Sequence, residues 1–232
     1  MNANEVLPTE SAAKVFILIH LSRLVAAGER DSSVRVVVPD DFRLNGTGVL
    51  RFLSSGLSLS IDDLAWLMTI VSDNVATALL LLEVGGPEAV NTTMEDLGLS
   101  TARLATFDEM LDGAPFGSST ARDLAEAYAH LDHADREKLA RQQDLTGLPR
   151  CLNWSPYAVD LGEDSRVRVF NKTGVGPTTF IDAGLFETDS ARWIAAAMAS
   201  RQPHRITPTD VPAQLAFGEI GRTLYESWAG AC

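Results

Sequence analysis

Lysine is scarce in this chain: Lys14, Lys138 and Lys172 stand against sixteen arginines. Cysteine is scarcer still, with Cys151 and Cys232 alone. Two distant thiols supply neither the spacing of a zinc site nor a disulfide framework, so a reduced, cytoplasmic setting is expected. The segment Met1 to Pro8 has no basic stretch ahead of an apolar run, which argues against an export signal. The apolar stretch Val15 to Leu21 falls short of the roughly 20 residues a membrane helix requires, and Arg23 follows it closely. Positive charge is deficient overall, giving a net charge of -12. Short clusters of Asp and Glu spread along the chain exclude nucleic acid and anionic membrane as natural partners. No Gly-x-Ser-x-Gly elbow and no phosphate-binding or dinucleotide glycine motif is present.

Against that scarcity, two of the three lysines sit in short polar motifs, Ser11-Ala12-Ala13-Lys14 and Lys172-Thr173-Gly174, with Ser72-Asp73-Asn74 between them. Arginine stays charged at any accessible pH, whereas burial can strip a lysine of its proton, so lysine retained in an arginine-preferring chain points to chemistry. A serine hydroxyl needs a base within reach to become a nucleophile. Residues three apart share a helix face, so Lys14 lies one turn on from Ser11 and can supply that base. Amides at the helix start, Ser11 N–H first, suit the oxyanion of acyl transfer, and Val175 N–H beside Gly174 offers a second donor. Each motif alone has a plainer reading: Ser11 as a helix cap, Ser72-Asp73-Asn74 as the cap of the next helix, Lys172 as a solvated strand residue.

Hydrophobic content of 46% is enough for a substantial core. Residues 12–27 are apolar almost all round, the pattern of a central helix ended by Gly28. Val34 to Val38 reads as a short strand, Asn45-Gly46-Thr47-Gly48 as a turn, and Ser60-Ile61-Asp62-Asp63 as a capping box opening a helix. Helices follow over 75–84 and from Pro87 to Gly98. Residues 101–118 read as a long loop, Ser119 as the cap of a helix through His130, and 134–143 as another helix. Three antiparallel strands are expected over 166–170, 178–186 and 192–198, with a closing helix over 212–229. His20 reads as a core histidine. His130 and His133, near Asp132 and Asp135, read as a solvated helix end rather than a metal site.

Taken together and in order, the three motifs resemble those of the serine β-lactamase-like and penicillin-binding-protein superfamily, class A in type. Segments 45–50, 71–78, 85–87 and 142–150 are similar in the same way. The resemblance covers nearly the whole chain and implies one α+β domain: a helical lobe over about 40–145 beside an α/β lobe formed by about 1–39 and 146–232. It implies Ser11 as the acylated nucleophile, Lys14 as its base, Ser72 as proton shuttle and Asn74 as partner for a substrate amide. Lys172 and Thr173 would hold a substrate carboxylate, with Gly174 letting substrate approach the backbone at Val175.

Two departures qualify this. The family's Glu-x-x-Leu-Asn loop motif is missing, which leaves Asp108, Glu109 and Asp112 as the loop's carboxylates and Glu109 as candidate deacylation base. Only ten residues precede Ser11 in this sequence, where the family places a helix and two strands, so the sheet edge is expected to pair with a second subunit or another segment. The reading is a serine hydrolase that needs neither cofactor nor metal, acting on a small ester, amide or β-lactam-like molecule, with a metabolite of secondary metabolism as the expected substrate. A non-hydrolytic cyclase, isomerase or eliminase using the same pocket is the alternative, followed by a non-catalytic small-molecule binding protein.

Overall fold

The structure, a computed structural model, describes residues 2–40, 42, 44–112, 114–134, 168–201 and 212–229. Lys138, both cysteines, most of the helix expected over 134–143 and the segment 142–150 lie outside the described residues.

A single 3-10 turn, Glu10–Ala13, leads into helix α1, Lys14–Ala26. Val15, Phe16, Ile17, Ile19 and Leu21 are each at most 3% exposed. These positions go all round the helix, so α1 runs through the middle of the molecule, and a helix apolar on every side has no other stable place. Gly28, at φ +74, closes it. Around α1 pack α2, Ile61–Ile70; α3, Asn74–Glu83; α4, Gly86–Asp96; and α6, Ala121–Ala134. The capping box at the start of α2 is present in full. Asp63 N–H donates to Ser60 Oγ at 3.0 Å and Ser60 N–H to Asp63 Oδ2 at 2.9 Å. Among the described residues no helix is long and apolar enough to cross a membrane.

The sheet side is a three-stranded antiparallel sheet of β6, Arg168–Val175; β7, Phe180–Glu187; and β8, Arg192–Ala199. Strand alternation sends Phe170, Lys172, Ile181, Ala183 and Leu185 to one face, where the apolar ones join the core around α1. Phe180, Phe186 and Trp193 go to the other, under helix α7, Pro212–Ala229. There Phe186 stacks on its cross-strand neighbour Trp193 at 5.8 Å, and Phe217 of α7 lies 5.4 Å from Phe180. Burial of both faces explains why these strands read as apolar runs.

Two expectations are corrected. Residues 101–118 are not a bare loop: they hold β4, Arg103–Leu104; helix α5, Phe107–Leu111; and β5, Gly117–Ser119. Strand β5 pairs with β4 on one side and on the other with β1, Leu7–Pro8. This fastens the base of the segment to the chain that enters the Ser11 turn. The cap of α6 is Thr120 rather than Ser119: Asp123 N–H donates to Thr120 Oγ1 at 3.0 Å, while Ser119 belongs to β5. The remaining small sheet pairs β2, Arg35–Val37, with β3, Ser58–Ser60.

Candidate active site

The chain reaches Ser11 through a fixed turn. Thr9 N–H donates to Gly117 O at 2.9 Å and Ala12 N–H to Thr9 O at 3.0 Å. Glu10 between them has φ +48, a left-handed conformation that costs a residue with a side chain about 1–2 kcal/mol. Ser11 follows, half-buried, and among the described residues neither its amide nor its hydroxyl is taken up by a hydrogen bond.

One turn on, Lys14 is 2% exposed. Its Nζ lies 2.8 Å from Ser72 O, 2.9 Å from Asn74 Oδ1 and 3.0 Å from Ser72 Oγ, with no bond to Ser11 Oγ. The carbonyl and the amide oxygen only accept, so they take two N–H groups. The third contact is a hydroxyl, which can donate to a nitrogen lone pair. A neutral amine satisfies all three. Burial, and then the charge of Lys172, push the Lys14 pKa well below the usual lysine range, while the Asp73 carboxylate opposes them.

Ser72-Asp73-Asn74 both caps a helix and faces the lysine, so its two sequence readings coexist on different residues. Asp73, fully buried, accepts Val75 N–H and Ala76 N–H at 2.9 and 3.1 Å on Oδ1, capping α3. Its Oδ2 accepts Val49 N–H and Leu50 N–H at 2.6 and 2.8 Å. Asp73 thereby joins the start of α3, through two of its four backbone donors, to the segment before α2, through the other two. Ser72, at φ +54, and Asn74 are left to meet Lys14. The turn over 45–48 completes the support. Thr47 Oγ1 donates to Ser72 O at 2.6 Å, Asn74 N–H to Thr47 O at 3.1 Å, and Asn74 Nδ2 to Asn45 O at 2.9 Å. Gly48, at φ +111, has no room for a side chain, because a Cβ there would lie 2.5 Å from Asp73 Cα. The turn over 45–48 was legible from its paired glycines, but Thr47 and Asp73 were not assigned a part in the site from sequence.

Lys172, 4% exposed, is no solvated strand lysine. Its Nζ donates to Thr173 O at 3.0 Å, and burial lowers its pKa to about 8 against the raising effect of Asp182. Alternation sets the Thr173 side chain on the opposite sheet face, across from Asp182. Gly176 N–H donates to Thr179 O at 3.0 Å to close the turn between β6 and β7. Counting back along the antiparallel register, Gly174 and Lys172 fall in the pairs bonded to β7, so the Val175 and Thr173 amides face the open edge of β6. Gly174 also has a packing role. A Cβ there would lie 2.3 Å from Thr9 O and 2.9 Å from Ala12 N, so the glycine lets the strand approach the Ser11 turn itself.

Glu109 is already engaged. It completes a capping box, Thr106 N–H donating to its Oε2 at 2.7 Å, and it pairs with Arg103 at 2.9 Å. Those bonds hold its carboxyl below the usual range, which weakens it as a base. Asp108, beside it, is exposed and makes no side-chain hydrogen bond among the described residues. Elsewhere, His20 is a satisfied core residue, with Nε2 2.9 Å from Val84 O and Nδ1 2.8 Å from Thr93 Oγ1.

Comparison with known proteins bears on the family and the fold. A β-lactamase from Streptomyces lavendulae is 32% identical over 144 residues, covering 60% of this chain and 47% of that protein. Beta-lactamase BRO-1 from Moraxella catarrhalis is 26% identical over 124 residues, covering 52% and 39%. The chain thus spans less than half the length of these curated relatives. The crystal structure of a β-lactamase from Sphaerobacter thermophilus superposes with a TM-score of 0.79 at 25% identity, covering 98% of this chain and 85% of that one. The mixed helical and sheet architecture, with three antiparallel strands toward the C-terminus, is the class A β-lactamase fold. The family model of the beta-lactamase enzyme family matches residues 1–228, and the chain belongs to that family.

Proposed function

We propose that the protein is a serine acyl hydrolase that forms an acyl-enzyme at Ser11 with a small ester, amide or β-lactam-like molecule carrying an anionic group. Ser11 Oγ attacks the carbonyl carbon and its proton passes to Lys14 Nζ. The oxyanion is received by the Ser11 and Val175 amides. As the carbon–nitrogen or carbon–oxygen bond breaks, Ser72 Oγ gives its proton to the leaving atom and is reprotonated by Lys14. Water then releases the acid and returns the proton to Ser11. Asn74 orients Lys14 and offers its amide to substrate, and the Lys172 ammonium attracts the anionic group. The relatives' names, β-lactamase, agree with this assignment.

The observation that carries the reading is the buried Lys14 amine, one turn from Ser11 and bonded to both Ser72 and Asn74. With Glu109 occupied, no other strong base for the second half-reaction stands out among the described residues, so the acyl-enzyme is expected to accumulate. Incubation with benzylpenicillin and with a fluorophosphonate, followed by intact mass spectrometry, tests this. The expected result is one covalent adduct, lost in Ser11→Ala. No adduct with either reagent, or one that survives the substitution, rejects the reading.

A further inference from the structure

We propose that Glu10 is a positioning residue for acylation: bonded to Thr179, it ties the turn between β6 and β7 to the Ser11 turn and so fixes the spacing of the Ser11 and Val175 amides. The inference rests on the acyl-enzyme reading above.

Thr179 Oγ1 donates to Glu10 Oε1 at 3.1 Å, joining residues 169 positions apart. Each end of this bond adjoins an oxyanion donor. Glu10 immediately precedes Ser11, and Gly176, in the turn that Thr179 closes, immediately follows Val175. The bond is sheltered, with Thr179 only 5% exposed. Gly176 makes room for it: a Cβ there would lie 2.3 Å from Glu10 Oε1 and 2.4 Å from Thr179 Oγ1. The backbone at Gly176 is not left-handed, so the glycine answers to this contact rather than to turn geometry. The left-handed φ of Glu10 is a cost that its surroundings must hold in place, and strain of this kind gathers where a site needs a fixed geometry. Two amides that must converge on one oxygen come from opposite ends of the chain. The Glu10–Thr179 bond bridges the two segments that carry them.

The test is the time course of Ser11 acylation by benzylpenicillin and by a fluorophosphonate in the wild type, Glu10→Ala, Glu10→Gln, Thr179→Val and the Glu10→Ala/Thr179→Val pair. A misplaced donor slows the covalent step by roughly 10- to 100-fold, so Glu10→Ala and Thr179→Val should each lose about that much while reagent affinity changes little. The pair should lose no more than the worse single change, because both break one bond. Glu10→Gln, which keeps an oxygen acceptor, should recover most of the rate. Acylation of Glu10→Ala at the wild-type rate, or losses that multiply in the pair, overturns the proposal. Failure of the wild type to take any adduct instead rejects the acyl-enzyme reading. The clamp is then decided by hydrogen exchange in the 175–179 turn: equal acceleration in both single variants supports it and unchanged exchange overturns it.

Discussion

The two walls that converge on Lys14 are held by different physics. On the helical side, polar bonds fix the wall: Asp73 gathers four backbone N–H groups, and Thr47 and Asn45 bond Ser72 and Asn74. On the sheet side, close approach fixes it, with Gly174 lying against the backbone of Thr9 and Ala12. A polar scaffold fails by leaving buried donors unpaired, which is a loss of stability. A packed scaffold fails by displacing a strand, which is a loss of geometry. The first wall should therefore break as folding and the second as rate.

The largest expected effect is at Lys14 itself: Lys14→Met should slow acylation about 100- to 10,000-fold, the range of a lost general base, measured by reagent uptake. Next comes Asp73→Ala, which strands buried amides and should lower stability by about 4 kcal/mol in urea unfolding. An effect below about 1 kcal/mol would remove the distinction between the walls. Gly174→Ala should do the converse, slowing acylation by about 100-fold through a shifted strand while changing the unfolding midpoint far less.

Lys172→Met sharpens the comparison through charge. The buried ammonium has its pKa lowered to about 8, so between that value and the ordinary lysine range the unfolded chain binds the extra proton. Its contribution to stability rises with pH across this window, and below it the full cost of burial is present. Lys172→Met should therefore hold or raise the melting temperature near neutral pH while weakening capture of anionic substrate. Because the Lys172 charge lowers the Lys14 pKa, the acidic limb of the acylation profile should move to higher pH in the same variant. Asp73→Asn, which removes a charge that raises it, should move that limb lower. The smallest effect is at Glu109: Glu109→Gln should shift the unfolding midpoint only slightly, through the capping box and the exposed ion pair, and leave the deacylation rate unchanged.

Much of this was legible in the sequence because the signals were local and periodic. The Ser60–Asp63 capping box, the all-apolar α1, the closing helix over 212–229 and the strand runs are each set by neighbouring residues. The lysines were legible because their chemistry was out of keeping with an arginine-rich chain. The segment 101–118 was misread because β5 acquires its strand character from partners at Leu7–Pro8 and Arg103–Leu104, which no local pattern announces. The same holds for Asp73, whose acceptors serve amides up to 24 positions away. It holds also for Gly174, whose neighbour is the Ser11 turn. Glu10 gave no sign at all, since a glutamate at positive φ contradicts its own local preference and is explained only by tertiary contact.

The account depends on a Lys14 amine that can lose its proton, and Lys14→Arg tests that directly, because a guanidinium keeps charge and hydrogen bonds but cannot act as a base. Acylation of Ser11 followed by intact mass across pH should give, for the wild type, a profile with an acidic limb set by Lys14 and a decline above about 8 set by Lys172. For Lys14→Arg it should give a folded protein with no measurable adduct at any pH. Adduct formation by Lys14→Arg at the wild-type rate would contradict the mechanism.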